Sequence, residues 1–178
     1  MKKAHWPTTV LVFTLLTGCA MVQRTAPGTL SNADVLSVFG TIDQNEIEAA
    51  ELAREKASSP MVRDYAKSLL QQHTAMLDEK RAIVNRMNVR PAKPRLASAL
   101  EQANQETLET LRNKSGSEFD RAYVDYQITM HDQAIKLSRD TAASVDDSRI
   151  KQHLIEARPD LASHLRTAQT IRQQLAMQ

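Results

Sequence analysis

Residues 58–87, SSPMVRDYAKSLLQQHTAMLDEKRAIVNRM, have the pattern of one long amphipathic helix. Ser59 is a candidate cap, and Pro60 fits the first helical position, where its missing N–H leaves no hydrogen bond unmade. Apolar side chains then recur at the spacing of one helical face: Val62, Ala66, Leu69, Met76, Ile83 and Met87. His73 stands between Leu69 and Met76, at a position where this spacing favours an apolar residue. The stretch therefore predicts a helix that turns an imidazole toward its core.

The same helical pattern covers the chain after residue 30. Apolar stripes mark residues 31–57, 95–113 and 118–143, and a final segment after the polar turn at 144–148, which we expect to bend at Pro159. Aromatic residues make up only 4% of the chain and glycines number four, a composition that favours close-packed helices over a β-sandwich. We therefore predict an all-α fold, an antiparallel up-down bundle of four to five helices.

The connectors restrict the topology of this bundle. The connector NVRPAKP, residues 88–94, contains two prolines and spans at most about 24 Å when extended. A helix over residues 31–57 is about 40 Å long. The connector itself is too short for the end-to-end crossover of ferritin. The sequence predicts simple up-down winding, ferritin-like only in a loose sense.

The first 21 residues, MKKAHWPTTVLVFTLLTGCAM, predict a lipoprotein signal peptide. Two lysines precede an apolar run, residues 10–16, that is too short to span a bilayer. The four residues 16–19, LTGC, resemble the lipobox of bacterial lipoproteins, in which the cysteine is acylated and becomes the new N-terminus. We expect a signal peptide at 1–18, lipidated Cys19 with a tether at 19–30, and the bundle domain at 31–178. The alternative is ordinary secretion with Cys19 unmodified.

Cleavage after residue 18 changes the charge of the chain. The full sequence has 23 Lys and Arg against 21 Asp and Glu, and removal of Lys2 and Lys3 leaves equal numbers. A neutral chain gives no basis for binding nucleic acid. Cys19 is the only cysteine, so an internal disulfide is excluded. Ala20 follows it, and by resemblance to Gram-negative lipoproteins this residue favours the outer membrane, with the domain facing the periplasm.

A weak internal repeat relates two parts of the chain at an offset of 58. Residues 61–77 align with 119–135, which pairs Tyr65 with Tyr123 and His73 with His131. The match suggests two helical hairpins of similar design. If both hairpin turns lie at the same end of the bundle, the two histidines lie at one depth.

Four polar residues occupy positions on the apolar stripes of four different helices: Glu46, His73, His131 and His164. Imidazoles and a carboxylate in a buried layer suit Zn, Fe, Mn or Cu. The alternative is a metal-free polar network in which Glu46 pairs with histidine. No histidine has the Glu-x-x-His spacing of di-iron carboxylate bundles, which argues against a di-iron oxidase site. His153 lies one step off its stripe and is expected at the surface.

Several segments together resemble a known family: NEIEAAELA (45–53), SSPMVRDYAKSLLQQHTAML (58–77), SEFDRAYVDYQITMHDQAI (117–135) and ASHL (162–165). The family is a domain-of-unknown-function group of bacterial envelope proteins, described as outer-membrane proteins and grouped with ferritin-like helical bundles. The resemblance covers roughly residues 32–178 and brings no established activity. It implies that the family's marked residues are Glu46, His73, Asp120, Tyr123, His131 and His164.

Two further expectations concern residues near this layer. Tyr65 and Tyr123 are expected at the edge of the core with hydrated hydroxyls. Asp120, three residues after Ser117, fits a capping-box role at the start of the fourth helix.

The sequence therefore predicts a lipid-anchored helical-bundle protein of the bacterial envelope whose partner is the membrane through its anchor. The leading hypothesis is a metal-binding or envelope-stress-related protein without enzymatic activity. The alternative is a structural or protein-interaction module of the envelope, with a metal-free polar layer that fixes the register of the helices. An enzyme is the third option and has little support, because the sequence contains no phosphate loop, nucleophile elbow or Cys-His pair.

Overall fold

The computed structural model describes residues 30–177. They form five helices: α1 (Asn32–Lys56), α2 (Pro60–Met87), α3 (Arg95–Arg112), α4 (Gly116–Ser144) and α5 (Ser148–Ala176). No strand occurs in this range, so the predicted all-α bundle is confirmed, and α5 continues as one helix through Pro159.

None of the described helices combines the length and apolarity that a membrane crossing needs. The predicted signal peptide at 1–18 and residues 19–29 of the tether lie outside the described residues.

The four long helices pair as two hairpins, α1 with α2 and α4 with α5, and α3 joins the hairpins. α3 runs beside α1 in the same direction: Asn45 donates to the Leu100 carbonyl, and one turn further along both helices Asn104 donates to Glu48. α3 therefore returns the chain to the end at which α2 began, and α2 and α4 are parallel. Successive helices alternate in direction as predicted, but α3 supplies the end-to-end crossover that the short connector cannot.

A side chain from α4 caps the start of α2. The Asp120 carboxylate accepts hydrogen bonds from the backbone N–H of Ser58 (3.0 Å) and of Ser59 (2.9 Å), and from the Ser58 hydroxyl. A carboxylate at this position satisfies free N–H groups and complements the helix dipole. Ser59 is the N-cap residue of α2 and Pro60 is its first residue, as predicted, but the Ser59 side chain makes no cap bond. The predicted capping-box role of Asp120 in α4 is wrong: α4 begins at Gly116, and Asp120 caps α2 because it lies on the buried face of α4.

Two apolar clusters fill the bundle, and a polar layer separates them. The first joins the ends of α1, α3 and α5 to the starts of α2 and α4, and includes Leu69, Leu108, Phe119, Ile171 and Leu175. The second lies toward the opposite end and includes Phe39, Ile42, Ile83, Ile150 and Leu161. Between them every long helix buries polar side chains: Asp43 and Glu46 on α1, His73 on α2, Gln127 and His131 on α4, and His164 on α5.

Candidate metal site

Three histidines from three helices meet in the polar layer. His73, His131 and His164 are 0, 1 and 5% exposed. Each offers a ring nitrogen, and these three nitrogens all lie within 4.8 Å of one another. The ring centroids are 5.0, 5.3 and 5.6 Å apart. Because α2 and α4 run parallel from the same end, His73 and His131 lie at one depth, as the internal repeat suggests.

Each ring has an inward nitrogen, on the side of the other two rings, and an outward nitrogen, on the opposite side. The outward nitrogen of each ring faces an oxygen that can only accept a hydrogen bond. The three contacts are His73 Nδ1 to Asp43 Oδ1 at 3.1 Å, His131 Nδ1 to the Gln127 carbonyl oxygen at 2.9 Å, and His164 Nε2 to Gln72 Oε1 at 2.8 Å. With the Gln72 amide in this orientation, each outward nitrogen carries a proton and donates it. In a neutral imidazole the inward nitrogen then holds a lone pair.

The inward nitrogens of the three rings converge. His73 Nε2 is buried and has no hydrogen-bond partner. His131 Nε2 and His164 Nδ1 face each other at 3.1 Å, a distance at which either one of them donates a proton to the other or both hold lone pairs that a cation binds. A half-turn of the Gln72 amide gives the first arrangement in the metal-free protein: the amide N–H donates to His164 Nε2, and the His164 proton lies on Nδ1.

Burial keeps two of the rings uncharged at neutral pH. It lowers the pKa of His131 to about 3, and the neighbouring His73 adds to the lowering. Burial also lowers the pKa of His164 to about 3, with smaller contributions from His131 and His73. Neutral imidazole is the form of histidine that binds metals.

The spacing of the nitrogens suits a transition metal. Three nitrogens at about 2.0–2.1 Å from a tetrahedral zinc ion lie roughly 3.3 Å from one another. The His131–His164 separation of 3.1 Å is already close to this value. The other two separations do not exceed 4.8 Å, so the rings need to close by at most about 1.5 Å to reach zinc geometry.

A buried ion pair orients His73. Asp43 Oδ2 lies 2.7 Å from Lys80 Nζ, while Asp43 Oδ1 accepts from His73. Lys80 keeps the charge of the buried carboxylate compensated. In metal sites a carboxylate behind an imidazole fixes the orientation of the ring and raises its basicity. The sequence predicted neither Asp43 nor Lys80, although Asp43 precedes Glu46 by three residues and Lys80 follows His73 by seven.

Glu46 is buried beside this cluster but is not one of the three residues whose ligand atoms lie together. Burial raises the pKa of its carboxyl, and the nearby His73 opposes the rise. One of its oxygens has no hydrogen-bond partner, and neither have the Tyr123 hydroxyl and the Gln127 amide, which are also buried. The layer therefore holds, next to the histidines, buried polar groups with unused hydrogen-bonding capacity.

The remaining predicted residues support the layer or lie outside it. The Tyr65 hydroxyl donates to the His164 carbonyl at 3.1 Å. The expectation that Tyr65 and Tyr123 have hydrated hydroxyls at the edge of the core is wrong, since they are only 6 and 0% exposed. Burial raises the pKa of both, which keeps them protonated. Asp120 lies at the end of the bundle, where it caps α2. The predicted surface position of His153 is wrong, since its side chain is only 11% exposed, but it does not join the cluster.

Three comparisons relate the chain to known proteins. A family model described as a domain of unknown function (DUF4142) matches residues 17–171. No curated protein matches the sequence. Among solved structures, a Streptomyces coelicolor protein described as a secreted DUF305 protein is similar with a TM-score of 0.69 and 10% identity, over 81% of this chain and 94% of that one. At this identity the likeness concerns the fold alone.

Proposed function

The chain belongs to the family described as a domain of unknown function (DUF4142), and we propose that it binds one transition-metal ion at His73, His131 and His164. The proposal places the protein in the bacterial envelope, held there by a lipid on Cys19. Its role is to bind and buffer metal rather than to catalyse a reaction, which would link it to envelope stress.

The convergence of three buried imidazoles, each with an oxygen behind its second nitrogen, supports this proposal best. In metal sites a ligating histidine nearly always donates its second ring N–H to a carboxylate, a backbone carbonyl or water. Here the outward nitrogens face a carboxylate, a backbone carbonyl and an amide oxygen. With the Gln72 oxygen toward His164, all three inward nitrogens hold lone pairs and form a ligand set.

The ligand chemistry favours Zn, Cu and Fe over Mn. Imidazole suits Zn, Cu, Fe and Ni, while Mn prefers oxygen ligands. Three imidazoles leave a further coordination position, as in zinc sites that keep water or substrate in the fourth position. Glu46 is the proposed partner of that position, either as a direct ligand or as the acceptor of a hydrogen bond from a bound water.

Cobalt titration tests the proposal. Co²⁺ replaces Zn²⁺ in imidazole sites, and its visible absorption reports the coordination geometry. The metal-free protein is expected to develop tetrahedral or five-coordinate absorption that saturates at one equivalent, and Zn²⁺ is expected to abolish it. Binding of far less than one equivalent of each of Co²⁺, Zn²⁺, Cu²⁺ and Mn²⁺ would refute the proposal.

A second candidate is a structural or interaction module with a metal-free layer. The Asp43–Lys80 pair favours it, because a compensated ion pair inside a bundle can fix the register of helices without any metal. The half-turn of Gln72 also lets the histidines bond to one another. This candidate predicts an intact fold and no metal in the titration above. Its partner would be another protein of the envelope.

Envelope location and lipidation form a separate part of the proposal. The structural relative is described as secreted, which is compatible with export. Replacement of Cys19 by Ser removes the thiol that would be acylated, and a chain held by lipid should then move from the membrane fraction to the soluble fraction. Thr25→Ser, a change in the tether outside the lipobox, is the control and should leave the protein on the membrane. Continued membrane association of Cys19→Ser would contradict lipid anchoring.

A further inference from the structure

His164 is the member of the cluster that lies nearest the surface. It lines an open groove of about 780 Å³ between α2 and α5, together with Tyr65, Gln72 and Asp160. His73 and His131 are 0 and 1% exposed, against 5% for His164. The groove thus approaches the cluster at the outward nitrogen of one ring.

Gln72 covers that nitrogen. Its amide oxygen lies 2.8 Å from His164 Nε2, and its amide nitrogen donates to Ser68 Oγ at 2.7 Å. Ser68 is exposed and Gln72 is half-buried, so the amide rests at the border between the groove and the core. Exposed side chains change rotamer within picoseconds to nanoseconds. Once its bond to His164 breaks, the Gln72 side chain can open by such a rotamer change.

Carboxylates surround the outer side of Gln72. A depression of about 300 Å³ next to it is lined by Glu79, Glu156 and Asp160, with no Lys or Arg among its lining residues. Arg166 lines the larger groove elsewhere. A depression lined by one sign of charge raises the local concentration of oppositely charged ions and their rate of association. Gln72 therefore lies between the acidic depression and the His164 ring.

We propose that metal ions reach the three histidines through the α2–α5 groove and that Gln72 is the gate. The inference rests on the proposed function. A cation collects in the acidic depression, Gln72 swings away from His164, and the ion passes inward to the three lone pairs. The amide then closes with its oxygen accepting from His164 Nε2, while in the metal-free protein its N–H donates to the same nitrogen. Gln72 thus has two roles. It is the gate, and it is a positioning residue whose orientation determines which nitrogen of His164 carries the proton.

Stopped-flow mixing of Co²⁺ with the metal-free full-length protein tests the gate. Gln72→Ala is expected to increase the association rate several-fold, and loss of its hydrogen bond to His164 is expected to lower the affinity about 10–100-fold. Gln71→Ala, an exposed neighbour on the same helix, is the matched control and should bind at the wild-type rate. Equal rates for Gln72→Ala and wild type would overturn the gate.

The charge of the depression provides a second test that does not depend on Gln72. Asp160→Asn is expected to slow association several-fold at low ionic strength and to weaken its salt dependence. Asp140→Asn, an exposed carboxylate on α4, is the control and should leave both unchanged. If wild type binds one equivalent and the rate is unaffected by Asp160→Asn as well as by Gln72→Ala, the route is wrong and the metal site stands. If wild type binds no Co²⁺, the proposed function fails first.

Discussion

Replacing any one of His73, His131 and His164 with alanine abolishes stoichiometric metal binding, whereas His153→Ala retains it. Each of the three rings supplies one inward lone pair, and loss of one ring leaves only two imidazole ligands in the buried layer. Removal of an outer partner of a metal ligand typically lowers affinity about 10–100-fold, so loss of a ligand should lower it by more than about 100-fold. Isothermal titration of the metal-free variants with Zn²⁺ measures the change.

Controls separate ligand loss from loss of the fold. His153 is a largely buried histidine of the same bundle outside the cluster, so His153→Ala controls for removal of an imidazole. Circular dichroism establishes whether each variant keeps its helices. Where an alanine variant loses them, His164→Asn tests the most accessible ligand with a smaller change in volume. Folded cluster variants that bind Zn²⁺ as tightly as wild type would exclude these histidines as ligands.

Metal raises the midpoint of thermal unfolding by roughly 10 °C in the wild-type protein. A ligand that binds the native state alone stabilises it by about 4 kcal/mol at about 1,000 times its Kd. For a domain of about 150 residues each kcal/mol raises the midpoint by roughly 2–4 °C. Differential scanning calorimetry with and without Zn²⁺ or Cu²⁺ measures the shift.

The matched comparison for this shift is the double variant His73→Ala, His131→Ala. It should unfold at the same temperature with and without metal, while His153→Ala should shift as wild type does. Metal that binds the unfolded chain reduces the shift, but it acts on wild type and His153→Ala alike. An unchanged midpoint of wild type with every metal would favour the structural module.

The sequence contains enough information to predict the helices and the histidine layer. Apolar residues recur at helical spacing over nearly the whole domain, and this period is the strongest local signal of structure. His73, His131 and His164 could be found because each interrupts an apolar stripe at a position that must face inward. The repeat predicted that His73 and His131 meet, since equal distances from parallel starts place residues at equal depth, whereas the level of His164 was predicted from its distance to the last turn.

Asp43 and Lys80 were missed although the same spacing marks both. Asp and Lys are almost never fully buried unless paired, so each taken alone is expected at the surface. Their burial depends on the contact between α1 and α2, which brings the carboxylate to both Lys80 and His73. A charged residue on the apolar stripe of a helix therefore indicates a buried position with a partner, as a histidine there does.

Asp120 and the crossover by α3 depend on contacts distant in sequence. Asp120 caps a helix whose start lies 61 or 62 residues earlier in the chain, and no local pattern carries that information. The length of the connector at 88–94 correctly excluded a crossover by the connector, but a helix of 18 residues performs it instead. The role of Gln72 likewise could not be predicted, because it depends on the contact with His164 on α5.

The location of the metal in a crystal tests the central claim most directly. Crystals grown with one equivalent of Zn²⁺ and measured on both sides of the zinc absorption edge should give one anomalous peak inside the bundle. We predict that it lies about 2.0–2.1 Å from His73 Nε2, His131 Nε2 and His164 Nδ1. Zinc found only at surface carboxylates, with the three rings hydrogen-bonded to one another, would contradict the account.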